Sequence, residues 1–273
     1  MPSVRLADGH DMPQVGFGVY KVPPGETVAA VRTALDAGYR SIDTATLYRN
    51  EAEVGRAVAE SGLPREDLFV TTKLWNDRHG YDSALAAFDE SVRALGTEYV
   101  DLYLIHWPVP SLDRYVETWR ALLRLRDEGR ARSVGVSNFT ERHLQRLVDE
   151  TGAAPVVNQV ELHPYLSQPR LRAYHEEHGI VTEAWAPLAR GGRLLDDPVV
   201  TGIAERHGRS PAQVVLRWHV QHGTVVIPKS VTPQRIRANV ELFDFALTDD
   251  EMAALDGLDA EARTGNHPDD VGA

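Results

Sequence analysis

Three ionisable residues of this chain close short apolar runs: Asp43 follows Ile42, Lys73 follows Thr72 and His106 follows Ile105, while Tyr48 lies shortly beyond Asp43. Together they could reduce a carbonyl. Hydride delivery leaves negative charge on the carbonyl oxygen, and a proton donor must quench it. A phenol has an ordinary pKa near ~10, too high for ready proton exchange at neutral pH, and a nearby ammonium lowers it. Lys73 supplies the ammonium, Asp43 can hold it charged and oriented, and His106 can donate a hydrogen bond to the carbonyl oxygen. Each residue also has a structural reading: a helix-capping aspartate, a lysine with its head at the surface, a satisfied core histidine, a packing tyrosine. Convergence on one end of one fold favours the chemistry.

Short apolar runs recur along the chain, at 15–19, 40–43, 68–74, 100–105, 133–136, 155–160, 180–184 and 224–227. Helical patterns fall between them, for instance at 27–37 before Gly38, at 51–60, and at 83–95 before Gly96. Parallel strands need crossovers of about a dozen residues or more, and these spacings supply them. A doubly wound open sheet has the same local signal. Eight such units with no linker favour a single (β/α)8 TIM barrel over residues 1–273, an α/β fold. It would carry an N-terminal β-hairpin cap turning at Asp8-Gly9 and an irregular C-terminal tail from about Ala262. In such a barrel, residues at the C-terminal ends of strands face one mouth.

Composition bounds the function. With 29 basic and 40 acidic residues, a net charge of −11 argues against nucleic-acid and anionic-membrane partners. The absence of cysteine excludes disulfides and thiolate chemistry. Met1-Pro2-Ser3-Val4-Arg5 lacks a basic region followed by an apolar stretch, so a cytoplasmic location is expected. His175 and His178, like His219 and His222, stand three apart rather than four, and no metal is expected. Gly16 and Gly18 are followed by Lys21 where a dinucleotide fingerprint needs glycine. Lys229, Ser230 and Arg235 follow the last strand instead, where barrels often bind phosphate. Helix capping by Ser230 or Thr232 beside surface cations is the alternative.

Several segments together resemble the aldo-keto reductase family over nearly the whole chain. They are Gly38-Tyr39-Arg40-Ser41-Ile42-Asp43-Thr44-Ala45, Leu47-Tyr48-Arg49-Asn50-Glu51 and Val70-Thr71-Thr72-Lys73-Leu74-Trp75. Val100-Asp101-Leu102-Tyr103-Leu104-Ile105-His106-Trp107-Pro108 and Gly135-Val136-Ser137-Asn138-Phe139 follow. Asn158-Gln159-Val160-Glu161-Leu162-His163-Pro164 and Ile227-Pro228-Lys229-Ser230 complete the set. Within the family the chain is most similar to the bacterial branch of 2,5-diketo-gluconate reductases.

The resemblance implies a catalytic tetrad of Asp43, Tyr48, Lys73 and His106, a monomer, a small-molecule carbonyl substrate, and NADPH/NADP+ as cofactor. It places Lys229, Ser230 and Arg235, in a loop with Val231 and Thr232, around the adenosine 2′-phosphate, and Asn239 near the adenine. Ser137, Asn138 and Gln159 match residues that hold the nicotinamide carboxamide. Trp185 stands where most relatives stack a tyrosine on the nicotinamide. Ala186, Pro187, Leu188, Arg190 and Gly191 fall in the loop over the pyrophosphate, where Ala189 and Arg190 depart from smaller or polar residues. Tyr20, Leu47, Trp75, Trp107 and His106 would meet substrate, with the tail beyond Arg263 closing over them. Two rivals stay open: a barrel that binds cofactor without turnover, and a lyase or isomerase using Lys73 as a Schiff base.

Overall fold

The computed structural model describes residues 1–272. A hairpin of β1 (Ser3–Arg5) and β2 (Asp11–Pro13) precedes eight parallel strands. These are β3 (Phe17–Gly18), β4 (Ser41–Asp43), β5 (Phe69–Leu74), β6 (Val100–Ile105), β7 (Ala131–Ser137), β8 (Val157–Glu161), β9 (Val181–Trp185) and β10 (Val225–Val226). They are hydrogen-bonded in chain order, and Val15 bridges Val226 in parallel to close the ring. Closure brings backbones unusually near. The Gly18 N–H donates to the Pro228 carbonyl at 3.3 Å, and a Cβ at Gly18 would lie 2.8 Å from the Ile227 carbonyl oxygen. Only glycine fits there, so a glycine pair that resembles part of a nucleotide fingerprint serves the barrel seam.

The crossovers are α1 (Pro24–Asp36), α2 (Glu51–Ala59), α3 (Tyr81–Leu95), α4 (Tyr115–Asp127), α5 (Glu141–Thr151), α6 (Pro169–Glu177), α7 (Pro198–His207) and α8 (Pro211–Gln221), followed by α9 (Pro233–Ala238) and α10 (Asp249–Asp256). Local chemistry sets many of their ends. α1, α6, α7, α8 and α9 begin with proline in the first turn, where its missing N–H costs nothing. Ser210 caps α8 reciprocally with Gln213, and Thr248 does the same for α10 with Glu251. α3 and α5 end on left-handed glycines, Gly96 and Gly152. The structure starts α1 and α3 earlier than the apolar period predicts, because Pro24 and Gly80 rather than the first apolar residue mark their entries.

Strand residues alternate between two environments, as a period of two requires. Val70 and Leu74 of β5, with Tyr103 and Ile105 of β6, pack outward in the large core shared with the helices. Phe69, Leu102, Leu104, Val157 and Val225 form a second cluster with Leu6 and Met12 of the hairpin region. The hairpin therefore plugs the bottom of the barrel. The same inward register, continued upward, carries Asp43, Lys73, Gln159 and Glu183. A polar layer thus sits above an apolar plug. Among the described residues no helix is long and apolar enough to cross a membrane.

Candidate active site

Lys73 is fully buried, and its Nζ donates to Asp43 Oδ1 at 2.6 Å and to the Thr44 carbonyl at 3.0 Å. Burial favours loss of its proton, but the Asp43 charge, then Tyr48, and the hydrogen bond to Asp43 outweigh it and hold the ammonium above its usual range. Asp43 Oδ2 accepts from Gln159 Nε2 at 2.8 Å, so both carboxylate oxygens are satisfied. Tyr48 ends a 3-10 turn, Thr46–Tyr48, which Thr46 ties to the Lys73 carbonyl at 3.1 Å. Its ring centroid lies 5.2 Å from Lys73 Nζ. The next residue, Arg49, adopts a left-handed φ of 55° that turns the chain into α2.

The phenol is not as acidic as Lys73 alone would make it. Burial raises its pKa, Lys73 lowers it and Asp43 raises it again, leaving it at about 12. Tyr48 is therefore protonated at neutral pH, and the nearby Lys73 ammonium favours its ionised form. His106 packs edge-on to Tyr48 and Trp75, with centroids at 5.8 and 5.0 Å. Burial and then Lys73 push its imidazole well below the ordinary range, so the ring is neutral. Its Nδ1 has no partner. A neutral imidazole still carries one N–H, which suffices to hold an oxygen.

A cavity of about 1260 Å³ opens over these groups. Its wall includes Asp43, Tyr48 and His106, with Lys73 buried behind them. Tyr20, Leu47, Trp75 and Trp107 all line it, as do Ser137, Asn138, Gln159 and Trp185. So do Ala186, Pro187, Leu188, Arg190 and Gly191, and farther out Lys229, Ser230, Arg235 and Asn239. Val231 and Thr232 do not: they stand exposed at the entry to α9, where Ser230 Oγ accepts the Thr232 N–H at 3.1 Å. Trp185 Nε1 donates to Asn138 Oδ1 at 2.7 Å, a bond open to tryptophan's N–H at this position. Asn138 itself has a φ of 63°, and its Nδ2 donates to the His106 carbonyl at 2.9 Å, linking β6 to β7. Ala186, Ala189 and Arg190 have φ of 47°, 49° and 59°, so the loop after β9 holds three strained non-glycine residues beside the cavity.

The chain from residue 14 to residue 260 matches the Aldo/keto reductase family model. The chain belongs to the aldo/keto reductase family. It is 56% identical over 267 residues to an aldo-keto reductase of Mycolicibacterium smegmatis, covering 98% of this chain and 97% of that one. It is 48% identical over 270 residues to the methylglyoxal reductase DkgA of Escherichia coli, covering 98% of each. A crystal structure of a Gox0644 variant in complex with NADPH superposes with a TM-score of 0.95 at 50% identity, over 99% of this chain and 98% of that one. A Bombyx mori aldo-keto reductase in complex with NADP gives 0.91 at 39% identity, over 97% and 95%. This aldo/keto reductase thus has the resemblance and the barrel anticipated from its sequence.

Two features of the site were not anticipated. Glu183, inward on β9, lies fully buried beside Gln159, whose Nε2 donates to it at 2.9 Å. Its only sequence signal is strand alternation with Trp185. The second is the anchor of the tail. Thr264, Gly265, Asn266 and Val271 line the cavity, so the tail beyond Arg263 does close over it. Glu161 holds it there, accepting from the Thr264 N–H at 2.6 Å, the Thr264 hydroxyl at 2.5 Å and the Gly265 N–H at 3.1 Å. Among the described residues no group of histidines and carboxylates is arranged to hold a metal. His175 bonds Asn158 and Thr182, His178 stacks on Tyr174, His219 meets the Pro187 carbonyl and His222 meets Asp256.

Proposed function

We propose that the chain is a monomeric, cytoplasmic, single-barrel reductase that converts small aldehydes and ketones to alcohols with NADPH, using Tyr48 as the proton donor. The observation that carries this reading is one continuous cavity. Its floor holds Tyr48 and His106 over the Asp43–Lys73 pair, and its outer wall holds Lys229 and Arg235. The donor set fits NADPH. Lys229 and Arg235 offer exposed cationic groups to a phosphate, while Ser230, accepting from Thr232, keeps its own O–H to donate. Asn138 and Gln159 offer amide groups near the mouth, and Trp185 a ring to stack on the nicotinamide. When bound, the cofactor supplies the hydride.

The protein's part is position and charge. Tyr20, Trp75 and Trp107 wall the mouth with apolar rings, excluding water and strengthening each electrostatic contact inside. His106 orients the carbonyl oxygen by a hydrogen bond. Tyr48 gives that oxygen its proton, and the fixed Lys73 ammonium stabilises the resulting phenolate. Lys73 is unsuited to a Schiff base, which needs a neutral amine: its nitrogen is buried, paired with Asp43 and held protonated. Purified protein mixed with NADPH and a panel of aldehydes, methylglyoxal among them, tests the reading. Carbonyl-dependent loss of NADPH absorbance is expected. Tight NADPH binding with no oxidation across the panel would instead favour a non-catalytic barrel.

A further inference from the structure

The polar layer of the barrel contains one carboxyl that the reduction does not use. Glu183 is paired in register with Gln159 of β8 and with Val225 of β10, and none of its surface reaches solvent. Gln159 Nε2 donates to Glu183 Oε2 at 2.9 Å and to Asp43 Oδ2 at 2.8 Å. With Lys73 on the other oxygen of Asp43, an unbroken chain of hydrogen bonds crosses the barrel beneath the cavity. Asp43, ionised beside Lys73, can only accept. The nitrogen end of the Gln159 amide must therefore face it, and Glu183 takes the remaining hydrogen. The amide oxygen is left as the free end of a side chain that lines the cavity.

Charge counting fixes the state of Glu183. The layer holds one cation, Lys73, which already pairs with Asp43. A second ionised carboxylate would be buried without a counter-ion, and its Oε1 has no hydrogen-bond partner at all. We propose that Glu183 is a positioning residue, a neutral acid at neutral pH that locks the Gln159 amide with its oxygen toward the cofactor and whose ionisation at alkaline pH impairs the phenolate form of Tyr48. The proposal deepens the reductase reading and rests on it.

The groups that face Glu183 are few. Asp43 of β4 and Lys73 of β5 are charged, whereas Gln159 and Val225 on the neighbouring strands do not titrate. Burial and then the charge of Asp43 lift its pKa to about 8, against partial opposition from Gln159 and Lys73. Ionisation adds negative charge beside Asp43, and negative charge there disfavours the phenolate that must accept a proton when an alcohol is oxidised. Reduction starts from the phenol, whose population this ionisation does not lower.

The test compares wild type, Glu183→Gln and Glu183→Leu, all first assayed for carbonyl-dependent NADPH oxidation. NADPH dissociation constants come from tryptophan fluorescence, and kcat for alcohol oxidation with NADP+ is followed across alkaline pH. Glu183→Leu, which leaves the amide nitrogen held by Asp43 alone and less firmly fixed, should weaken NADPH binding about tenfold, and Glu183→Gln should restore most of that loss. The wild-type oxidation profile should flatten near about pH 8, and Glu183→Gln should remove that inflection. Unchanged NADPH binding in Glu183→Leu, or an identical inflection in Glu183→Gln, overturns the inference while an active wild type leaves the reductase reading standing. An inactive wild type defeats the reductase reading itself.

Discussion

Glu161→Gln should release the C-terminal tail from the barrel mouth. The buried Glu161 side chain accepts from the Thr264 N–H and hydroxyl, the Gly265 N–H and, at 3.2 Å, His163 Nε2. Burial raises its pKa, but these hydrogen bonds, His163 and Thr264 first, bring it down to about 2 from 4.5. A difference of that size corresponds to roughly 3 kcal/mol favouring the ionised form, and His163, which is not part of the tail, supplies the largest share of the lowering. The sign follows from the depressed value. This stabilisation is fully present above pH 4.5 and disappears as the pH falls through about 2. The tail can open without unfolding the barrel, so the loss of the Thr264 and Gly265 share appears as local opening, about tenfold more frequent at neutral pH. Trypsin cleavage after Arg263 reads that opening directly, with the carbonyl KM as a second measure, because Thr264, Gly265, Asn266 and Val271 line the cavity. Cleavage should quicken toward that factor and KM should rise. An unchanged cleavage rate together with an unchanged KM would refute the anchoring role.

Three further outcomes follow from the same geometry. Arg235→Ala should raise the KM for NADPH much more than that for NADH, and equal effects would remove the 2′-phosphate assignment. Lys73→Met leaves Asp43 buried without its cation, so it should lower unfolding free energy by about 3–5 kcal/mol in denaturant titration and abolish turnover. Gly265→Ala would place a Cβ 2.5 Å from Trp185 Cη2 and 3.2 Å from Glu161 Oε2, so it should displace the ring and weaken NADPH quenching of tryptophan fluorescence.

The parts of the molecule legible in the sequence are those whose signal is local. Strands such as Val100–Ile105 read correctly because both faces are buried and the run is nearly continuous in apolar residues. The convergence of Asp43, Tyr48, Lys73 and His106 was legible because each ends or follows such a run. The edges were less so. The first strand shrinks to Phe17–Gly18, since closure there proceeds by single bridges across a seam of glycines. Lys73 was expected to make Tyr48 more acidic; it does act in that direction, but burial, which spacing does not reveal, prevails. Glu183 and Glu161 were missed because their partners, Asp43 and Thr264, are remote in sequence and only the closed barrel joins them. Val231 and Thr232, expected beside the phosphate, stand exposed next to the cavity without lining it.

The central claim is that Tyr48 delivers the proton from a site assembled independently of it. Tyr48→Phe removes one oxygen and leaves the Lys73–Asp43 bond, the walls of the cavity and the Lys229–Arg235 face in place. Single-turnover reduction of an aldehyde by pre-bound NADPH, with NADPH affinity measured on the same sample, isolates the step. The account predicts unchanged NADPH affinity and a hydride-transfer rate lowered by about 100-fold or more. A variant that binds NADPH normally and turns over at the wild-type rate would contradict it.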